Sequence, residues 1–339
     1  MSASGTPAIE VRGLTKRFGQ LVAVDAIDLV VNRGDVIGFL GPNGAGKTTT
    51  IRMLLGLIRA DAGTARVFGQ DPWRDPVEAL RSVAGFVEAP TFYDYLTGRM
   101  NLELLAGLDG GEGRTRIDGV LDTVGLIGRE GDRVRGYSHG MKQRLGVAAT
   151  LLRDPDLVIL DEPTTGLDPP AMRDMRALVR RLADTGRTVL LSSHQMNEVE
   201  EICSRVAIIR NGAIVFDGGL AELTERGARP TVLLSTGEPH RATVVAGDID
   251  GLEAKSGDGP GELLLSGEQL ALDRLTVALG REGIPIRAFV PERMSLERAF
   301  FRLLDDGASL DSAATAASAA TPERSAKAND ADEHEGARP

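Results

Sequence analysis

The stretch Gly41-Pro42-Asn43-Gly44-Ala45-Gly46-Lys47-Thr48-Thr49 fits G-x-x-x-x-G-K-[ST], a loop that wraps nucleotide phosphates. Glycines let backbone amides approach phosphate oxygens. A helix starting there adds the partial positive charge of its N-terminus. Lys47 supplies a charge for the β- and γ-phosphates, and Thr48 a hydroxyl for Mg²⁺. Two carboxylates, Asp161 and Glu162, follow the apolar run Leu157-Val158-Ile159-Leu160. Asp161 would hold the metal, directly or through water, and Glu162 would polarise an attacking water. The plainer reading is an aspartate that caps the next helix. His194 ends the run Thr188-Val189-Leu190-Leu191-Ser192-Ser193 and could contact the γ-phosphate, although a lone histidine is more often structural. Phe18 could stack on a purine, or could be a core aromatic of a hairpin.

These groups need elements to position them. Val36 to Leu40 is a short apolar run, read as a buried strand before the loop. Thr48 to Ile58 has helical spacing, with Ile51, Leu54, Leu55 and Ile58 on one face. Strand, loop and helix form the context that a phosphate loop requires, and that argues against an ordinary Gly-rich turn. Leu157 to Leu160 and Thr188 to Leu191 read as buried parallel strands. In such sheets ligands sit at the carboxyl ends. Residues 41, 161 and 194 would then stand together around one triphosphate.

The surrounding chain is mixed. Residues 8 to 40 read as β-rich, Thr64 to Phe68 and Gly85 to Val87 as strands, and residues 97 to 152 as largely helical. Leu102, Leu104, Leu105 and Leu108 suggest one helix, and Ile117, Val120, Leu121 and Val124 a second. Ser138 caps a third. Ala171 to Leu182 is a further helix. Asn211-Gly212 between Val206–Ile209 and Ala213–Phe216 is a strong hairpin turn. Beyond residue 226 the character changes. Thr231 to Ser235, Thr243-Val244-Val245 and Leu263 to Leu265 read as strands, and Leu270 to Leu279 and Ser295 to Leu304 as helices. The sequence predicts a nucleotide-binding domain over 1–225, a small α+β extension over 226–305 and a disordered tail over 306–339.

The 339 residues carry a formal net charge of −10, which argues against broad nucleic-acid binding. One cysteine, Cys203, excludes an internal disulfide and fits a reducing compartment. The N-terminal residues lack the basic start and apolar core of a signal peptide. No apolar run approaches the roughly 18 residues that a membrane helix needs. A membrane process served by this chain would therefore involve another polypeptide, with this one in the cytoplasm.

Taken in order, these motifs resemble the ATP-binding subunits of ABC transporters over about residues 8 to 225. The loop at 41–49 is followed by Ser138-His139-Gly140-Met141 in the signature position and by the acidic strand end. Thr165-Gly166-Leu167-Asp168 is similar to the family's D-loop, and His194 to its switch histidine. The resemblance implies a parallel core with an antiparallel β subdomain and a helical subdomain near 89–155. It also implies two copies that sandwich two ATP molecules head to tail, each ATP meeting one copy's phosphate loop and the other copy's signature. ATP and Mg²⁺ are the implied cofactors. The implied partners are a separate transmembrane permease and a second ATP-binding subunit, expected to be an identical copy, with the chain held on the inner face of the membrane through the permease.

A narrower resemblance, to bacitracin- and daunorubicin-resistance exporters, rests on Phe86-Val87-Glu88-Ala89-Pro90-Thr91-Phe92-Tyr93 and Tyr137-Ser138-His139-Gly140-Met141-Lys142-Gln143-Arg144. Residues 226–305, ending in Ser295-Leu296-Glu297-Arg298-Ala299-Phe300, are similar to the extension of that group. Two positions depart from the wider family. Glu88 replaces its usual glutamine, which the resemblance assigns to sensing Mg²⁺ and the attacking water. His139 replaces its common glycine. The implied function is ATP hydrolysis that energises export of an antibiotic, peptide or lipid-like compound. An importer ATPase and a soluble non-transport ABC ATPase are the alternatives.

Overall fold

The computed structural model describes residues 5–226, 231–257, 259–292, 296–301 and 303. In chain order the first elements are β1 (Ile9–Phe18), β2 (Leu21–Val31), β3 (Val36–Leu40), α1 (Lys47–Leu54), β4 (Ala62–Val67), α2 (Pro76–Ala79) and β5 (Val83–Phe86). The helical stretch contains α3 (Gly98–Leu108), α4 (Ile117–Thr123) and α5 (His139–Leu151). Then come β6 (Leu157–Asp161), α6 (Pro169–Asp184), β7 (Thr188–Ser193), α7 (Met196–Ile202), β8 (Arg205–Arg210), β9 (Ala213–Gly219) and α8 (Leu220–Arg226). The last part holds β10 (Thr231–Thr236), α9 (Pro239–Gly247), β11 (Leu252–Ser256), β12 (Glu262–Gly267), α10 (Gln269–Arg281) and β13 (Ile286–Glu292).

A six-stranded sheet in the order β5-β6-β7-β3-β8-β9 carries the site. It is parallel except for the β8–β9 hairpin. Every residue of β6 and β7 is buried, as continuous apolar runs in a two-sided sheet require. Register sets their ends level: Leu40 pairs with Ser193, and Asp161 with Ser192. Polar side chains one residue past the apolar runs therefore emerge at one edge. The hairpin turn has φ of 47° at Asn211 and 82° at Gly212, the left-handed pair that such turns need.

A three-stranded antiparallel sheet, β2-β1-β4, packs its apolar side against α1 and the six-stranded sheet. The helices α3 to α5 share a core with the other face of that sheet. Ser138 caps α5 as expected, its hydroxyl accepting from Met141 N at 3.2 Å. The leucine-rich helix behaves differently from its pattern. α3 buries Leu102 and Ala106, whereas Leu104, Leu105 and Leu108 lie on the surface.

The C-terminal elements run β-α-β-β-α-β in a four-stranded antiparallel sheet, β11-β12-β10-β13, with α9 and α10 packed on it. This is the split β-α-β arrangement. Thr243-Val244-Val245, expected as a strand, lies inside α9. Pro239 starts that helix, and Ala242 and Ala246, one turn apart, bury their faces. Two strands, β11 and β13, were not expected from the sequence. Residues 296–301 are helical, with Ala299 and Phe300 in the same apolar cluster as Cys203 and Phe216. Burial pushes the Cys203 thiol up to about 12, so it is inert. The expected tail over 306–339 lies outside the described residues. Among the described residues, no helix is long and apolar enough to cross a membrane.

Candidate functional site

The phosphate loop leaves β3 and enters α1 at Lys47. Gly46 has φ of 111°, and a Cβ there would stand 2.5 Å from the Ala23 carbonyl oxygen, so no other residue fits. The turn of the β8–β9 hairpin braces the loop, with Gly212 N donating to Ala45 O at 3.0 Å. Lys47 is almost fully buried. Its ammonium donates to the carbonyl oxygens of Gly41 at 2.7 Å and Pro42 at 3.3 Å, and stands 3.1 Å from Glu162 Oε1.

Asp161 is buried at the end of β6. Its carboxylate accepts from Thr48 Oγ1 at 2.9 Å and from Ser192 Oγ at 2.5 Å. Thr48 and Asp161, 113 positions apart, thus meet as the pair expected for a metal. Among the described residues, no cluster of three or more His, Cys, Asp or Glu could hold a metal alone. A hydroxyl and one carboxylate suit Mg²⁺, which keeps waters and takes phosphate oxygens to complete its octahedron. Asp161 does not cap a helix. Asp168 does: its Oδ1 accepts from Ala171 N at 2.8 Å at the start of α6.

Glu162 sits at φ of 50°, an unusual conformation for a side chain of its size. Ser192 Oγ fixes it by accepting from Glu162 N at 2.9 Å. Three donors converge on the carboxylate. Lys47 approaches Oε1, while Thr165 Oγ1 at 2.6 Å and His194 Nδ1 at 2.7 Å donate to Oε2. Burial pushes the carboxyl up, but the hydrogen bonds from Thr165, Lys47 and His194 and the Lys47 charge outweigh it. The group is held below its ordinary value and is ionised. Oε1 still has acceptor capacity beyond Lys47.

A cavity of about 440 Å³ opens over the loop, lined by Phe18, Ala23, Pro42 to Thr49, Glu162 and Asn211. Phe18 is 50% exposed at the end of β1, with the Lys16 ammonium 5.5 Å from its ring centroid. The hairpin-core reading of Phe18 is therefore wrong: the ring lies at the rim, where a purine could stack.

Glu88 stands apart from this network. It has φ of 63°, is two-thirds exposed, and accepts from Arg52 Nη2 at 2.6 Å. The signature residues are also elsewhere: none of Ser138, His139, Gly140 or Met141 lines the cavity. They form the first turn of α5, beside the D-loop. Sequence reasoning did not place Ser192 or Asn211 in the site, and it named Thr165 only as part of the D-loop, without its bond to Glu162. Each is a short polar residue at a strand end or turn, and its neighbour took the attention.

A family model described as ABC transporter matches residues 24–165, and a second, for an AAA domain, matches residues 133–200. The bacitracin transport ATP-binding protein BcrA of Bacillus licheniformis is 38% identical over 304 residues, 88% of this chain and 98% of that protein. The chain belongs to the ABC transporter ATP-binding family. The daunorubicin/doxorubicin resistance ATP-binding protein DrrA of Streptomyces peucetius is 42% identical over 226 residues, covering 66% of this chain and 68% of that one. A solved structure titled as an ATP-binding subunit of an ABC transporter superposes with a TM-score of 0.58 at 30% identity, over 65% of this chain and 92% of its own. The fold expectation and the family resemblance are both borne out.

Proposed function

We propose that this ABC ATPase hydrolyses Mg²⁺-ATP to drive a separate membrane permease that exports an antibiotic or a similar amphiphilic compound. The observation that carries hydrolysis is the convergence of Lys47, Asp161, Glu162 and His194 on one edge of the sheet. Mg²⁺, bound by Thr48 and Asp161 together with the phosphates, would neutralise charge that develops on them. Lys47 turns from Glu162 towards the β- and γ-phosphates, so Glu162 loses one of the influences that lower its pKa and becomes a better base. His194, held by the same carboxylate, stands ready to contact the γ-phosphate. Glu162 then orients water for in-line attack, and Phe18 stacks on the base.

The signature lies outside its own cavity, which supports a two-copy arrangement in which Ser138 and Gly140 serve the partner's ATP. The division into an ATP-binding domain over 1–225, with a helical subdomain near 89–155, and an extension over 226–305 is part of this reading. Export is favoured by the antibiotic transport and resistance for which relatives aligned over both the core and the extension are named.

A permease has a suitable seat. A groove of about 580 Å³ is lined by Leu57, Leu80, Phe86, Pro90, Phe92 and Leu105, among others. Leu57 at the groove is exposed, and so are Leu104 and Leu108 on α3, the helix that supplies Leu105 to the groove. Glu88 lies in the segment between Phe86 and Pro90 and grips Arg52 of α1, the helix that begins at Lys47. Nucleotide engagement at the loop would reach the groove by that route. Service as a metal ligand would require Glu88 to leave Arg52. The test is co-expression with a candidate six-helix membrane permease. Co-purification and stimulated ATPase, both lost in Leu105→Asp, are expected. A complex that keeps full stimulation in Leu105→Asp overturns the docking site, and a chain that hydrolyses no ATP overturns the enzyme.

A further inference from the structure

We infer that His139 is a positioning residue that ties the signature helix to the hydrolytic carboxylate of its own chain. This rests on the reading of Glu162 as the group that orients water. His139 is the first residue of α5 and projects from the protein surface. Its Nε2 lies 3.2 Å from the carbonyl oxygen of Thr165. A carbonyl only accepts, so the ring nitrogen donates, and the proton sits on Nε2. The next residue, Gly166, turns with φ of 76°, and a Cβ built there would stand 3.4 Å from the same ring nitrogen. The imidazole thus rests against the bend of the D-loop as well as bonding to it.

Thr165 continues the path. Its Oγ1 donates to Glu162 Oε2 at 2.6 Å, and its amide donates to Glu162 O at 3.2 Å. The other donor to Oε2 is His194. Oε2 of Glu162 is therefore held from two sides, by His194 just past β7 and by the D-loop, and His139 anchors the second. Glycine at this position could form no such bond. A glycine signature would leave the D-loop held by its own turn, the Thr165–Glu162 bond, the Asp168 cap and the packing of Leu167, with no tie to the signature side chain. The consequence is directional. Any shift of α5 moves Thr165, and Thr165 moves the carboxylate, so hydrolysis in one copy depends on where its own signature stands.

The test compares His139→Ala, His139→Gln, Thr165→Val and the double variant His139→Ala/Thr165→Val in the full chain, with Glu162→Gln as reference. Glutamine places an N–H near the position of Nε2. Turnover, KM for Mg²⁺-ATP and melting temperature are read for each. His139→Ala should lower kcat on the order of 10-fold, less than the ~10² of an ångström-scale displacement, with KM and melting temperature close to wild type. His139→Gln should restore most of the loss. The double variant should be no slower than Thr165→Val, because the path is already cut there. Losses that multiply in the double variant, or an equal loss in His139→Gln, overturn the assignment of His139 alone. Near-normal turnover in Glu162→Gln overturns the reading of Glu162 on which it rests.

Discussion

Removing one hydroxyl, in Ser192→Ala, should damage both the stability and the chemistry of this protein. Ser192 is completely buried. Its Oγ donates to Asp161 Oδ1 at 2.5 Å and accepts from Glu162 N at 2.9 Å. The first bond involves a charge and is worth about 1.5–3 kcal/mol; the second, between neutral groups, about 0.5–1.5 kcal/mol. The loss should therefore be about 2–4 kcal/mol. A domain of this size shifts by roughly 2–4 °C per kcal/mol, so the melting temperature should fall on the order of 10 °C. Glu162, held at φ of 50°, would lose the contact that fixes its amide, so ATPase should also fall, by ~10-fold or more. Thermal denaturation and steady-state ATPase of the same preparation measure both. Thr123→Ala is the control, since its hydroxyl bonds only to Gly119 O on an exposed helix turn. That change should stay within about 0.5 kcal/mol. If Ser192→Ala melts and turns over like Thr123→Ala, the clamp between β6 and β7 has no energetic content.

Three other outcomes are expected. Phe18→Ala should weaken nucleotide binding by about 1–3 kcal/mol and Phe18→Trp should restore it; calorimetry with ATP and with inorganic triphosphate checks that the loss belongs to the base. The Glu162 pKa is lowered in the fold, so its contribution to stability is complete above the ordinary 4.5 and is lost as pH falls through the lower folded value. The melting-temperature gap between wild type and Glu162→Gln should accordingly shrink below pH 4.5; a gap that stays constant refutes the shift. Glu88→Gln should leave folding intact, because an exposed pair with Arg52 contributes about 0–1 kcal/mol, yet should shift the Mg²⁺ dependence of ATP affinity. Equal affinity ratios with Mg²⁺ and with chelator in both proteins would remove Glu88 from the metal's surroundings.

What was legible in the sequence had strong local grammar. Lys47 and Thr48 announced themselves through glycine spacing, and Asp161, Glu162 and His194 through apolar runs that stop abruptly. Full burial of β6 and β7 makes those runs continuous, so their ends are sharp. The C-terminal sheet was harder to read. β11 and β13 are its two edge strands, half exposed, and β13 contains Pro291. Edges carry charge and proline, which erase the alternation that marks a strand. Thr243 to Val245 misled in the opposite sense. Three β-branched residues suggested a strand, but the proline start and the buried alanines at helical spacing prevailed. Leu104, Leu105 and Leu108 look like core residues. They lie on the surface, where the proposed permease seat would use them. The contacts of Ser192 with Asp161 and of His139 with the Thr165 carbonyl were beyond reach, because each joins segments distant in sequence and no local pattern encodes their register.

The central claim is that Glu162 turns a bound nucleotide into a hydrolysed one at a site completed by a second copy. Glu162→Gln tests it most directly. With Mg²⁺-ATP this variant should lose turnover by the ~10²–10⁴ typical of a positioned base, keep ATP bound, and sediment as a dimer that retains two ATP molecules. Near-normal turnover, or a variant that binds ATP and remains monomeric, would contradict the account.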